Sequence, residues 1–509
     1  MSIAPITSTL NTRDATDTRE IVSDSLALGV LMAIGLTIIQ RVLGFVRGIL
    51  FCRMMTDEQL GQFSMISGAL MMLAPLAVLG LPGSFGRFVE HYSHSGQLRE
   101  FLRKSGRICM ASTGLLAISI LIFPDFFSWQ IVGEVGRTDL MYLTAGGLIL
   151  LTWCNYLTSL VESMRQIRLA SIMRFVSGLT FTFGGIALVF LMTEKIQAAL
   201  LAFALSSLLG AVPAWLYLRH RRPAIQRHDK NLPYAELWSR MAPFAAWWWL
   251  SNILHNGYEM ADRYLLLHFS SLNGAEVQSA IGQIHSGRVL PTLMVGVAAM
   301  LSGLLMPYVT AAWIRGEHDL ARSQLNWTIK LSAIGIMLVN VAILIVAPIM
   351  FETILQGRYG DGLALLPMAV VYCSWLSLMT VSQDYLWVIE KGRLAVVCLI
   401  FGMLVTVFTG WMLIPSHGLW GTVIATMAGN FTALISIYLC NFWTGCRPDF
   451  GVWMSVAIPT LALCDPPLAI FGSILILVLC LMTGLYFSKT EKKQIARVVA
   501  AKLGRHRDR

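Results

Sequence analysis

Apolar runs of about 20 residues recur along this chain from Leu26 to Phe487, each closed by charges or turn formers. A helix of that length crosses the hydrocarbon of a bilayer. With 56% of residues hydrophobic and only 13% charged, the chain carries about half the charge of a soluble globule. The fold class that follows is an all-α polytopic membrane protein whose apolar surface faces lipid.

About fourteen spans are expected, near 26–52, 60–86, 107–124, 139–161, 175–193, 197–218, 243–268, 278–309, 329–351, 362–387, 394–414, 419–441, 451–464 and 467–487. The thirteenth is short and Asp465-Pro466-Pro467 follows it abruptly, so a re-entrant hairpin and a count of twelve is the alternative. Residues 1–25 form an N-terminal tail with Asp14, Asp17 and Glu20 and no apolar core of a cleavable signal. Spans one to six occupy 26–218. A polar break at 219–242, opening Arg219-His220-Arg221-Arg222-Pro223, reads as a cytosolic linker. Spans seven to twelve occupy 243–441, the last pair 442–487, and a basic tail 488–509. An even number of spans before the linker gives both halves one orientation, so a repeat between them is a parallel one with a central cavity.

Basic residues near span ends are retained on the cytoplasmic side. With the N-terminus inside, the inner segments hold Arg99, Arg103, Lys104 and Arg107, the Arg219–Arg240 linker, Arg315, Arg322, Lys391, Arg393 and the tail. The outer loops hold little beyond Arg53, Arg137, Lys195 and Arg358. Both termini are thus expected in the cytosol, in a cytoplasmic (inner) membrane. The net charge of +10 is mainly a topology signal and does not imply nucleic acid. In the tail, Ile495, Val498, Val499 and Leu503 fall at helical spacing among lysines and arginines, which suits either a helix on the anionic leaflet or a solvated basic tail. The nine cysteines have no metal-ligand spacing, and no cofactor is implied.

Four arginines remain inside the spans: Arg41, Arg47, Arg263 and Arg288. A charge at mid-membrane costs about 2.5–3.5 kcal/mol on insertion scales, so such residues face a bundle interior or a wet cavity, or else snorkel to an interface. In the first span Gln40, Gly44 and Arg47 share a helical stripe, with Arg41 and Gly48 on the adjacent one. In the seventh, Asn252, His255, Asn256, Glu259, Asp262 and Arg263 recur on one face. That face is either the wall of a hydrated path or a network pinning helices together, and six polar residues exceed what one locking pair requires. The eighth span continues with Gln278, Gly282, His285 and Arg288, and the tenth with Cys373, Ser377, Thr380 and Asp384. Arg41, Arg47, Arg288, Gln40, Asn252, Asn256 and Arg263 are the expected substrate contacts. Glu259, Asp262, His255 and Asp384 are the candidates for coupling an ion or proton.

The chain resembles the multidrug/oligosaccharidyl-lipid/polysaccharide exporter superfamily, in its polysaccharide-transporter, O-antigen flippase-like branch. The resemblance rests on Arg41-Val42-Leu43-Gly44-Phe45-Val46-Arg47, Leu60-Gly61-Gln62-Phe63-Ser64, Leu79-Gly80-Leu81-Pro82-Gly83-Ser84-Phe85-Gly86-Arg87, Asp262-Arg263, Gln356-Gly357-Arg358-Tyr359-Gly360-Asp361-Gly362 and Gly392-Arg393. The first motif is also similar to the lipid II flippase family, whose arginines there line a central cationic cavity, a role the resemblance implies for Arg41 and Arg47. The next stretch, Thr56-Asp57-Glu58-Gln59-Leu60-Gly61, lacks the small-residue turn and Asp of that group. The resemblance implies two six-helix lobes, alternating access, and a last pair of spans forming a groove for a lipid tail.

The expected function is a flippase for a lipid-linked, polyprenyl-pyrophosphate saccharide in envelope polysaccharide synthesis, whose partners are that substrate, membrane lipids and polysaccharide-synthesis enzymes. The alternatives are a multidrug or cation antiporter and a lipid II flippase. A polymerase or ligase would need a sizeable outer loop for catalytic groups, and the longest here is about Asp125 to Thr138.

Overall fold

The computed structural model of the protein describes residues 26–221, 233–482 and 486–487. The N-terminal tail, residues 222–232 of the linker and the basic C-terminal tail lie outside the described residues. All regular elements among those described are helices. In chain order they are α1 (Leu26–Met54), α2 (Asp57–Val78), α3 (Leu81–His94), α4 (Leu98–Ile122), α5 (Pro124–Val132), α6 (Thr138–Ser163), α7 (Ile167–Leu191) and α8 (Lys195–Arg221). Then come α9 (Tyr234–Phe269), α10 (Gly274–Arg288), α11 (Thr292–Ile314), α12 (His318–Ile349), α13 (Gly360–Ser382), α14 (Asp384–Val388), α15 (Gly392–Trp443), α16 (Phe450–Ala457) and α17 (Pro466–Met482). Ten of the described helical segments are long and apolar enough to cross a membrane.

Local chemistry explains where the helices start and stop. Thr56 caps α2 through its hydroxyl to the Gln59 amide at 3.2 Å while the Gln59 side chain accepts from the Thr56 amide at 3.1 Å. Asp57 and Glu58 then sit at the positive end of the helix. The corresponding stretch before α10 also caps its helix, with the Asn273 amide donating to Glu276 at 3.3 Å. The second expected span, 60–86, is in fact two helices. Leu79 and Gly80 take left-handed geometry (φ 53° and 71°), and a Cβ on Gly80 would stand 2.3 Å from the Ala245 carbonyl oxygen, so the chain turns there. The eighth, 278–309, is likewise split into α10 and α11 around Pro291.

The run Gly392–Trp443 folds back on itself at Gly418 (φ 51°, ψ −121°). Its two arms pack antiparallel: a Cβ on Gly429 would meet the Gly402 oxygen at 2.8 Å, and the Cys398 and Cys440 sulfurs lie 3.3 Å apart as free thiols. The thirteenth expected span is α16 continued by a 3₁₀ turn at Ile458–Leu463.

Helices α1, α2, α4, α6, α7 and α8 pack on one another, as do α9 to α15. The two sets meet mainly where α2 crosses α10 and where α2 and α3 run beside α9. At the α2–α10 crossing the contact is reciprocal. A Cβ on Gly61 would lie 1.9 Å from the Gln278 oxygen, and one on Gly282 would lie 2.1 Å from the Asp57 oxygen. Only glycine permits two helix backbones to approach this closely.

Candidate functional site

Between the two sets lies a cavity of 630 Å³, walled by α1, α6, α7 and α8 on one side and by α9, α10 and the start of α11 on the other. It continues into a compartment of 330 Å³ toward the α2–α10 crossing and into another of 310 Å³ toward Gly80 and Pro82.

The crossing seals one end. There Gln283 donates to the Asp57 carboxylate at 2.7 Å and accepts from the Gly362 amide at 3.1 Å. Arg358 pairs with Asp57 at 3.6 Å and donates to the Arg53 and Met55 carbonyls at 3.3 and 3.0 Å. The Tyr359 hydroxyl donates to the Cys52 carbonyl at 2.8 Å. The stretch between α12 and α13 therefore straps the C-terminal end of α1, where a cation complements the helix dipole.

The four membrane arginines fall into two kinds. Arg288 is 6% exposed; its Nη1 donates to the Asp262 carboxylate at 2.7 Å and to the Glu259 carbonyl at 2.8 Å. Arg263 donates to the Ser64 hydroxyl at 2.6 Å, to the Ser64 carbonyl at 3.2 Å and to the Glu259 carbonyl, with its Nε 3.5 Å from Asp262. Both line the cavity but are held and partly neutralised. Arg47 instead lays its guanidinium over the Phe181 ring at 3.8 Å, and Arg41 packs against Gly296 of α11. Neither has a carboxylate partner among the described residues. Gln40 lies beside them over Gly178 of α7.

The seventh-span stripe is divided. Asn252, Asn256, Glu259 and Arg263 line the cavity or its extensions. Asp262, expected on the same wall, is wholly buried, because its carboxylate is drawn to Arg288 and to the Arg263 amide, the latter at 2.8 Å. The same pairing gives Arg288, an expected substrate contact, a buried carboxylate partner. His255 lines none of these three spaces. Asp384 is also remote: buried at the α13–α14 junction, it accepts from Ser302 of α11 at 2.6 Å. Glu259 keeps an exposed carboxylate with no ion pair among the described residues. His285 lines the cavity, and its Nδ1 lies 2.9 Å from the Ser64 hydroxyl. No group of three metal-ligating side chains comes together among the described residues.

The sequence reading missed the opposite wall. Asn155, Thr158, Ser159 and Glu162 of α6 face the cavity or its 310 Å³ extension, and Arg174 of α7 pairs with Glu162 there. Their spacing of three, four and seven residues is the same stripe signal that marked α9. Small hydroxyl side chains, Ser177, Ser206 and Ser207, complete that side without any charge to announce them.

The sequence model of the family described as "Polysaccharide biosynthesis protein" matches residues 26–315. No curated protein sequence matches. Among solved structures, the lipid II flippase MurJ in an inward closed conformation superposes with a TM-score of 0.65 at 13% identity, covering 88% of this chain and 97% of that one. An inward-facing multidrug resistance MATE family transporter of the MOP superfamily gives 0.62 at 15% identity, with 82% and 98% covered. A MOP superfamily transporter from Pyrococcus furiosus, described as having a binding pocket of reversed polarity, gives 0.54 at 15% identity, with 82% and 94% covered. The fold is therefore that of the MOP superfamily.

Proposed function

The chain belongs to the polysaccharide biosynthesis protein family, and from that premise we propose that it is a flippase moving a polyprenyl-pyrophosphate-linked saccharide across the cytoplasmic membrane by alternating access. The observation that carries this reading is the pair Arg41 and Arg47, two guanidinium groups on the wall of a membrane-embedded cavity without carboxylate partners among the described residues. An uncompensated charge at this depth is costly, and an anionic ligand offsets that cost. Guanidinium groups suit phosphate oxygens because their fork of donors forms charge-assisted, bidentate hydrogen bonds. Arg263 and Arg288 enlarge the positive field while staying anchored by Ser64 and Asp262.

In this reading the chain has fourteen spans in two six-helix lobes plus a terminal pair. Ten segments already qualify; α9 adds one, the fold-back of α15 another, and α16 with its 3₁₀ turn and α17 the last two. Both termini are cytosolic, and the sealed α2–α10 end faces outward, so the cavity is caught accepting substrate from the cytosol. The reciprocal glycine contact of α2 and α10 supports a parallel repeat between residues 26–218 and 243–441.

A cation antiporter is the second reading, favoured by the free carboxylate of Glu259. Arg41, Arg47 and Arg263 share that cavity and outweigh it. The test is leaflet exchange of fluorescent polyprenyl-pyrophosphate saccharides in proteoliposomes. Exchange that Arg47→Ala abolishes is expected; absence of exchange with every saccharide class would falsify the reading.

A further inference from the structure

We propose that the 310 Å³ inner extension of the cavity is a saccharide subsite, separate from the guanidinium subsite and built on the Trp248–Trp249 pair of α9. This rests on the flippase reading and divides its cavity by chemistry. Along α9 the cavity-facing stripe runs from Trp248 and Trp249 through Asn252 and Asn256 to Glu259 and Arg263. The two ends differ. At one, Glu259 and Arg263 stand with Arg41 and Arg47; at the other there are indoles, amides and hydroxyls, with Asn155 and Thr158 of α6 on the facing wall. Glu162 and Arg174 also lie there but pair with each other, so the described lining residues bring no free charge to the compartment.

That donor set fits a sugar better than a phosphate. A pyranose has an apolar face of C–H groups and a rim of hydroxyls, each both donor and acceptor. The negative face of an indole attracts the former, and a carboxamide, carrying an acceptor oxygen and two donor hydrogens, matches the latter. Asn252 and Asn256 are already preset, since the Asn256 amide donates to the Asn252 carbonyl and side-chain oxygens at 2.8 and 3.2 Å.

The indoles are fixed before any ligand arrives. Trp248 meets Trp387 edge-on at 5.2 Å and lies so close to Gly83 that a Cβ there would fall 2.0 Å from its ring. Trp249 donates to the Leu76 carbonyl at 3.4 Å, and its Cβ would stand 2.8 Å from one on Gly80. Both rings remain only half-buried, so a platform exists whose ordering is already complete, and preorganised contacts lose least on binding. Spacing also fits. Asn252 precedes Glu259 by two helical turns, roughly 10 Å of rise, and a pyrophosphate bonded directly to its first sugar reaches both compartments at once.

The test measures equilibrium binding to the full-length protein in lipid nanodiscs with three probes: a polyprenyl pyrophosphate bearing an N-acetylglucosamine-headed trisaccharide, the same lipid without sugar, and the water-soluble trisaccharide. The native protein should prefer the glycosylated lipid. Trp249→Ala and Asn252→Ala should each weaken that probe about tenfold, the scale of one aromatic or hydrogen-bonded contact, and leave the sugar-free lipid unchanged. Arg47→Ala should weaken both lipids. Equal affinity of the native protein for both lipids, or variants that weaken both alike or neither, overturns the subsite and leaves the flippase reading standing. If neither lipid binds, the flippase reading falls, and the soluble trisaccharide decides the subsite: binding that needs Trp249 and Asn252 upholds it, and any other result overturns it.

Discussion

The Arg288 guanidinium and the Asp262 carboxylate meet at 2.7 Å with their side chains 7% and 1% exposed, so a cation at the edge of the cavity is neutralised from behind. Removing one partner of such a pair leaves a buried charge uncompensated, at a cost of about 3–5 kcal/mol. Asp262→Ala and Arg288→Ala are therefore expected to lower the thermal unfolding midpoint of the purified protein sharply. The double change Asp262→Leu with Arg288→Met should recover most of that loss. A double variant no more stable than the singles would contradict the pairing.

Arg47 behaves differently because its contact is the Phe181 ring, with no carboxylate to orphan. Arg47→Ala should fold with an unfolding midpoint close to the native one, since a cation–π contact contributes only about 0.5–2 kcal/mol. It should lose binding of sugar-free polyprenyl pyrophosphate by tenfold or more on the order of one charge-assisted contact. Arg47→Lys should recover part of it. Loss of folded protein in Arg47→Ala would give the residue a structural role.

At the α2–α10 crossing even one added methyl group cannot be accommodated, since the Gly61 Cβ would stand 1.9 Å from the Gln278 oxygen. Gly61→Ala should hold the sealed end ajar. In a cysteine-free background, a cysteine at Ser67, which lines the compartment below the crossing, should react with a membrane-impermeant thiol reagent added outside. Without Gly61→Ala it should react only from the inside. Labelling that ignores Gly61 would show that closure lies elsewhere.

Single cysteines along α9 test the division of its stripe. Positions 252, 256 and 259 should label with a water-soluble thiol reagent, whereas 261, 262 and 265, buried in the structure, should stay protected. Uniform protection would mean the cavity is dry.

Topology can be checked at two loops. A cysteine at Gln356, exposed beside the Arg358 strap, should label from outside, and one at Gly316, between α11 and α12, only after permeabilisation. The reverse pattern would invert the proposed orientation.

The sequence by itself determined the membrane class, the family resemblance, the approximate position of most spans, and the placing of Gln40, Arg41, Arg47, Asn252, Asn256, Glu259 and Arg263 on polar stripes. These are local properties: apolar length and helical period are written in consecutive residues. Tertiary structure alone decided which charges are free. Asp262 and Arg263 are neighbours, yet Asp262 turns to Arg288 while Arg263 reaches Ser64, more than a hundred residues away in the chain. The break at Gly80 was likewise hidden inside the expected span 60–86, because it depends on the approach of Ala245, whereas the one at Gly418 falls in the gap between the expected spans 394–414 and 419–441. A stripe fixes the direction in which a side chain leaves its helix; whether it meets water, a counter-charge or a ring depends on helices that packing brings from elsewhere.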